Sequence, residues 1–319
     1  MSGKLKWYSI RWRTIFLGLL LALIIAGFAF YRMRFLLMPP SMGSGPAGPD
    51  VPSQPFENVW SERNVVLLGI GDSITNGFGA PKELGYFELL KTNNDEYHSG
   101  MKNKNLKTVL PNLTTRNLSR DYTVTQEHLD FQLPAVSLFD EDVFGIVVIT
   151  TGGNDLIHDY GRTPQRDGAM YGCTYQQGTV WIENAKQRIK KLLDGLIEKF
   201  PGGCEIFLAN IYDPTDGVSD PENAGLPPWP HGSKVLGLMN QKIAELCDEY
   251  ENVHLIDIHT PFLGHGIHCR DFWSNHYHAD DPHFWYYTNL EDPNPRGYDA
   301  IRRQFLLKMI DVLPNMIDN

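Results

Sequence analysis

The first strong pattern along the chain is an uninterrupted apolar run from Ile15 to Tyr31, with Lys4, Lys6, Arg11 and Arg13 before it and Arg32 and Arg34 after it. Its 17 uncharged residues meet the lower limit, about 17–25, of what crosses a bilayer as a helix, and the basic upstream flank holds that end in the cytoplasm. The expectation is an N-terminal membrane anchor over residues 1–37, with the remainder outside the cytoplasm: periplasmic, extracellular or luminal. A cleaved signal peptide is the rival reading, because "AGFA" offers small residues to a peptidase.

Beyond residue 60 the pattern changes to short apolar runs alternating with helical periodicity. Val65–Gly69, Tyr122–Gln126, Gly145–Thr151, Glu205–Ile211 and Val253–Ile258 are strand candidates, each carrying apolar or β-branched residues. Between the last three lie two amphipathic stretches, "WIENAKQRIKKLLDGLIEKF" and "KVLGLMNQKIAELCDEY", and a final helix is expected from about Pro295 to Val312. Strands separated by helices of this length demand crossovers and a parallel sheet covered on both faces. The predicted fold is therefore α/β, a flavodoxin-like doubly wound parallel sheet of about five strands occupying residues 61–319. Chemistry in such sheets gathers outside the carboxyl ends of the strands.

Between anchor and domain, residues 38–60 include "MPPSMGSGPAGPDVPSQP", rich in Pro, Gly and Ser. This composition is expected to form a tether that supplies reach and no core. Past residue 34 the chain has 22 basic and 38 acidic residues, a net charge of −16. Such a field repels nucleic acid, so no nucleic-acid partner is expected. Cys173, Cys204, Cys247 and Cys269 follow no metal-ligand spacing; pairing in an oxidising compartment leaves three connectivities open.

Two short segments carry the candidate chemistry. "VVLLGIGDSITNGFGA" ends an apolar strand abruptly in Gly-Asp-Ser, placing Ser73 where Gly71 and Gly77 allow tight turns and a following helix points free N–H groups toward it. "TTGGND" stands likewise at the end of the third strand. Together "GDSIT" and "GGND" resemble the SGNH, or GDSL-type, hydrolase family over most of Val65 to Leu313. The resemblance implies Ser73 as nucleophile, with Ser73 and Asn154 as oxyanion-hole donors, no cofactor and no metal.

The sequence departs from that family at two places. The family's second block usually carries a glycine whose N–H faces the oxyanion; "NLSRDYTVTQ" has none, leaving a backbone N–H near Asp121 for the task. The last block typically reads Asp-x-x-His before Pro-Asn and Gly-Tyr. Here "DPNPRGY" retains the end of it, and Asp292 stands where the histidine belongs. A serine needs a base to take its proton, and an ordinary carboxylate is a weak one. Upstream, "DDPH" offers Asp280 three residues before His283. The expectation is that "FWYYTNLE" splits the block, and that Asp280 and His283 complete the triad.

His265, His268, His276 and His278 form a second option as divalent-metal ligands. The aromatic run "FWYY", with Trp273 and Trp229, suits either a stacking wall for a sugar ring or a local core. The expected function is a membrane-tethered serine hydrolase cleaving a small ester through an acyl-enzyme, with carbohydrate O-deacetylation preferred. The alternatives are a lysophospholipase or thioesterase, and a catalytically silent binding module. The expected partners are a small-molecule or carbohydrate ester substrate and the membrane.

Overall fold

The computed structural model describes residues 2–33 and 40–318. Residues 34–39, which hold Arg34, the end of the expected anchor and the start of the expected tether, lie outside the described residues. The apolar run lies within helix α1 (Ser2–Tyr31), whose stretch Trp12–Tyr31 is long and apolar enough to cross a membrane. None of that stretch is buried against the rest of the protein.

Five strands form one all-parallel sheet in the order β2-β1-β3-β4-β5. They are β1 (Asn64–Gly71), β2 (Leu113–Asn117), β3 (Val143–Thr150), β4 (Cys204–Ala209) and β5 (Val253–Ile256). The central strands β1, β3 and β4 are buried almost throughout, as near-continuous apolar runs in a doubly covered sheet must be. Helices cover both faces. α5 (Tyr175–Ile197) and α6 (Gly232–Asp248) pack on one side, while α3 (Tyr86–Lys91) and α7 (Pro295–Met316) pack on the other. Two further short helices, α2 (Ser73–Asn76) and α4 (Gly153–Ile157), begin at the carboxyl ends of β1 and β3.

One strand differs from expectation. The second strand is Leu113–Asn117, and the stretch Tyr122–Gln126 is a loop entering a helical turn. The reason is physical: β2 is an edge strand with only Leu113 fully buried, so its sequence "LTTRN" lacks an apolar signal. The four cysteines are all buried and unbridged.

The Pro/Gly segment also departs from a free tether. Its residues 41–51 lie along α7, held by backbone carbonyls. Arg296 donates to the carbonyls of Met42 (3.2 Å), Gly45 (3.3 Å) and Pro46 (2.9 Å). Arg303 donates to Pro49 (3.1 Å), and the Ala47 N–H donates to Asp299 Oδ2 (3.3 Å). Ala47 and Val51 are buried in the core against this helix. A segment poor in side chains leaves its carbonyls accessible, and guanidinium groups are suited to collecting several of them.

Candidate active site

The end of β1 is shaped by Gly71, whose φ of 138° and close approach to Thr150 O leave no room for a Cβ. Gln132 clamps that glycine, accepting from its N–H and donating to its carbonyl, both at 2.8 Å. Asp72 then caps α2, its carboxylate accepting from the Ile74 N–H (3.1 Å) and the Thr150 hydroxyl (2.7 Å). Ser73 is thereby the first residue of the helix, with a backbone N–H that has no intrahelical acceptor. Burial raises the Asp72 carboxyl to about 7, against the hydrogen bonds that favour its anion.

Asn154 projects from α4, which follows Gly152 at φ 90°. One N–H of its amide donates to Thr123 O at 3.0 Å, leaving the second available to the cleft. The neighbouring Asp155 fixes α4 by accepting from the Thr125 N–H (2.8 Å), the Thr125 hydroxyl (2.6 Å) and Arg188 (3.2 Å). In the loop lacking the expected glycine, Tyr122 takes φ 65°, the left-handed conformation that glycine adopts most easily. The loop thus turns where a glycine would, with a tyrosine in its place.

The last block approaches Ser73 through Asp292. The Ser73 hydroxyl interacts with the buried Asp292 carboxyl and favours its anion, yet burial prevails and raises that carboxyl to about 6. Asp292 Oδ1 is buried and has no hydrogen-bond partner among the described residues. Asp292 Oδ2 accepts from the Asn289 side chain at 2.7 Å, while Asn289 Oδ1 accepts from the N–H groups of Glu291 and Asp292. Asn289 and Asp292 keep the three-residue spacing of the family's Asp-x-x-His block. Asn289 escaped the sequence reading, although "NLED" repeats that spacing with an amide for the acid and a carboxylate for the imidazole.

The other expected pair is not assembled as such. His283 Nδ1 meets Asp281 at 2.5 Å, and Asp281 is also gripped by Arg296 at 2.8 Å, while Asp280 is solvent-exposed. The His283 ring lies against Gly43 of the packed segment and is not among the residues lining the Ser73 cleft. Of the remaining histidines, His265 stacks on Trp285 (3.5 Å between centroids) and on His278 (4.8 Å), whose ring also meets Leu263 O, while His268 bridges Asp220 and Asp271. Phe284, Trp285 and Tyr286 are buried in the core, as is Trp229; Trp273 is exposed. Asn294 holds the aromatic run in place by donating to the carbonyls of Phe284 and Tyr286 while capping α7.

Ser73 and Asn154 open onto a cleft of about 140 Å³. Its walls are mainly apolar: Leu156, Ile157, Ile211, Leu226, Trp229 and Leu236 line it. Tyr160, at φ 45°, and Glu291 stand in the same lining.

No curated protein matches the chain. Among solved structures it is similar to an acetyl xylan esterase from Geobacillus stearothermophilus (16% identity, TM-score 0.47, covering 79% of this chain and 97% of that one). It is also similar to phospholipase A1 from Streptomyces albidoflavus (16% identity, TM-score 0.46, 77% and 98%). An extracellular lipase from Streptomyces rimosus is comparably distant (15% identity, TM-score 0.47, 76% and 98%). The stronger finding is that residues 70–300, which include Ser73, Asn154, Asn289 and Asp292, match the family model for GDSL-like lipases and acylhydrolases: the chain belongs to that family.

Proposed function

We propose that the protein is a membrane-anchored serine ester hydrolase in which Asp292, oriented by Asn289, is the base for Ser73. The observation that carries this reading is that Asp292, buried and held by Asn289 (2.7 Å), lies beside the Ser73 hydroxyl with its pKa raised by burial to about 6. An unperturbed carboxylate near 4 is poorly matched to a serine, whereas one near 6 approaches the basicity of imidazole. Ser73 Oγ attacks the ester carbonyl as its proton passes to Asp292. The tetrahedral oxyanion is met by the Ser73 N–H and the second N–H of Asn154. Collapse expels the alkoxide, which takes the proton from Asp292. Water then attacks acyl-Ser73 with Asp292 again as base, returning free acid and serine.

The apolar cleft supports an acyl chain as the group that enters it, in preference to acetyl on a sugar. Of the rings expected to form a wall for a sugar, Phe284, Trp285 and Tyr286 are buried outside the cleft and Trp229 alone lines it, among aliphatic side chains. Each methylene buried is worth about 0.8 kcal/mol, so kcat/KM on p-nitrophenyl esters is expected to climb about two- to fourfold per methylene from acetate to octanoate. Ser73→Ala is expected to abolish the activity on every member of the series. Equal hydrolysis by wild type and Ser73→Ala overturns the mechanism, and a preference for acetate overturns the acyl-chain reading. A folded wild-type chain inert to the whole series and to a fluorophosphonate probe favours a silent binding module. α1, apolar and unburied, supports the anchor.

The pH dependence follows with a definite sign. Asp292 acts as its anion, so kcat/KM is expected to rise through about pH 6, broadened by coupling to Asp72, itself raised to about 7. Stability runs the opposite way. The folded pKa of Asp292 exceeds its ordinary value of 3.8, so its stabilising contribution is full below that value and is lost as pH rises through about 6. Activity that is flat between pH 5 and 7 contradicts this assignment.

A further inference from the structure

We propose that the loop bearing Phe272 and Trp273 seats the catalytic domain on the bilayer that α1 crosses, turning the rim of the Ser73 cleft toward the lipid headgroups. This inference rests on the anchor reading above.

Phe272 and Trp273 are 69% and 53% exposed, consecutive in sequence and packed edge to face at 4.9 Å between centroids. The two rings form a continuous apolar patch on an otherwise polar loop. Tyr31, the last residue of α1, packs on Trp273 with centroids 6.3 Å apart. The aromatic pair is therefore continuous with the end of the apolar span, the level at which Trp and Tyr concentrate in a bilayer.

The same surface leads to the catalytic cleft. A shallow groove beside Tyr31 and Trp273 is lined by Asp216, Val218, Asp220 and Ile267. Ile267 also lines the Ser73 cleft, as do Ser219 and Pro221 on either side of Asp220. Val218 is 49% exposed on this rim. The groove holds Asp220 and Asp271 around His268 and is lined by no lysine or arginine, so seating depends on ring insertion rather than on charge. An ester held in the headgroup layer then has a short path to the cleft.

The test uses the full chain in phosphatidylcholine vesicles containing nitroxide-labelled lipid. A fluorophore is placed at Trp273→Cys, and in a second protein at Glu141→Cys, an exposed site at the opposite, amino end of the sheet. Lipid quenching is expected at position 273 and not at 141, and it is expected to persist in high salt. In parallel, Phe272→Ser with Trp273→Ser is expected to lower hydrolysis of a vesicle-borne ester about tenfold while a soluble ester is cleaved within about twofold of wild type. Equal quenching at both positions, or none at 273 in chains that resist alkaline carbonate, overturns the seating while leaving the anchor intact. Extraction of the chain by carbonate overturns the anchor itself and the seating with it.

Discussion

Asp292→Asn is expected to lower kcat/KM for a soluble ester by about 10²–10⁴, the range that a positioned base contributes, with His283→Ala within about twofold of wild type. The amide keeps the shape of the carboxyl and can still accept from Asn289, but it cannot take the serine proton. The loss should therefore fall on kcat with little change in KM, the sign of an interaction made in the transition state. Asn289→Ala should cost less, because it frees the carboxyl to rotate without removing the base. His283 serves a different neighbourhood, bonded to Asp281 beside Arg296 and the packed N-terminal segment. A reversed outcome, with His283→Ala inactive and Asp292→Asn active, would return the base to the histidine, with Asp281 as the acid it touches. Such a result would require the aromatic loop to rearrange when substrate binds.

The second large effect concerns stability. A chain beginning at residue 52 is expected to be about 2–4 kcal/mol less stable than one beginning at residue 40, from the lost burial of Val51 and Ala47 and the lost carbonyl contacts of two arginines. Arg296 would lose three carbonyl acceptors, and Arg303 would lose the Pro49 carbonyl. Both guanidinium groups are nearly inaccessible to water while the segment covers them; its removal exposes them, with Asp281 and Asp299 still paired to them. Val51 and Ala47 would in addition leave their apolar surroundings. Urea midpoints of the two chains measure the difference; coincident midpoints would show that the segment merely rests on the surface.

Most of the sheet was legible because its central strands are apolar runs, and such runs have few other uses in a soluble domain. β2 was not, since an edge strand with one buried residue carries no periodic signal and the nearby Tyr122–Gln126 carried a stronger one. Ser73 and Asn154 were legible for a related reason: Gly71 and Gly152 interrupt the strands where the backbone must turn, and the chemistry follows at once. The packed segment was illegible because its attachment is made by its own carbonyls to arginines some 250 residues away in sequence, and composition reports side chains alone. The last block shows how a sound chemical rule can misdirect. Requiring an imidazole led to the nearest Asp-x-x-His, whereas "NLED" has the same spacing beside the retained Pro-Asn and differs only in residue type. What makes Asp292 a candidate base is its burial, and burial is a property of the folded chain.

The central claim is that Asp292 activates Ser73, and the rate of covalent capture tests it most directly. Intact-mass spectrometry can follow a fluorophosphonate adding to Ser73 in wild type, Asp292→Asn and His283→Ala across pH 4 to 9. The account requires a single adduct on Ser73, forming faster as pH rises through about 6, at a similar rate in His283→Ala and at least about a hundredfold slower in Asp292→Asn. Capture that proceeds at the wild-type rate in Asp292→Asn, or that fails in His283→Ala, would contradict it.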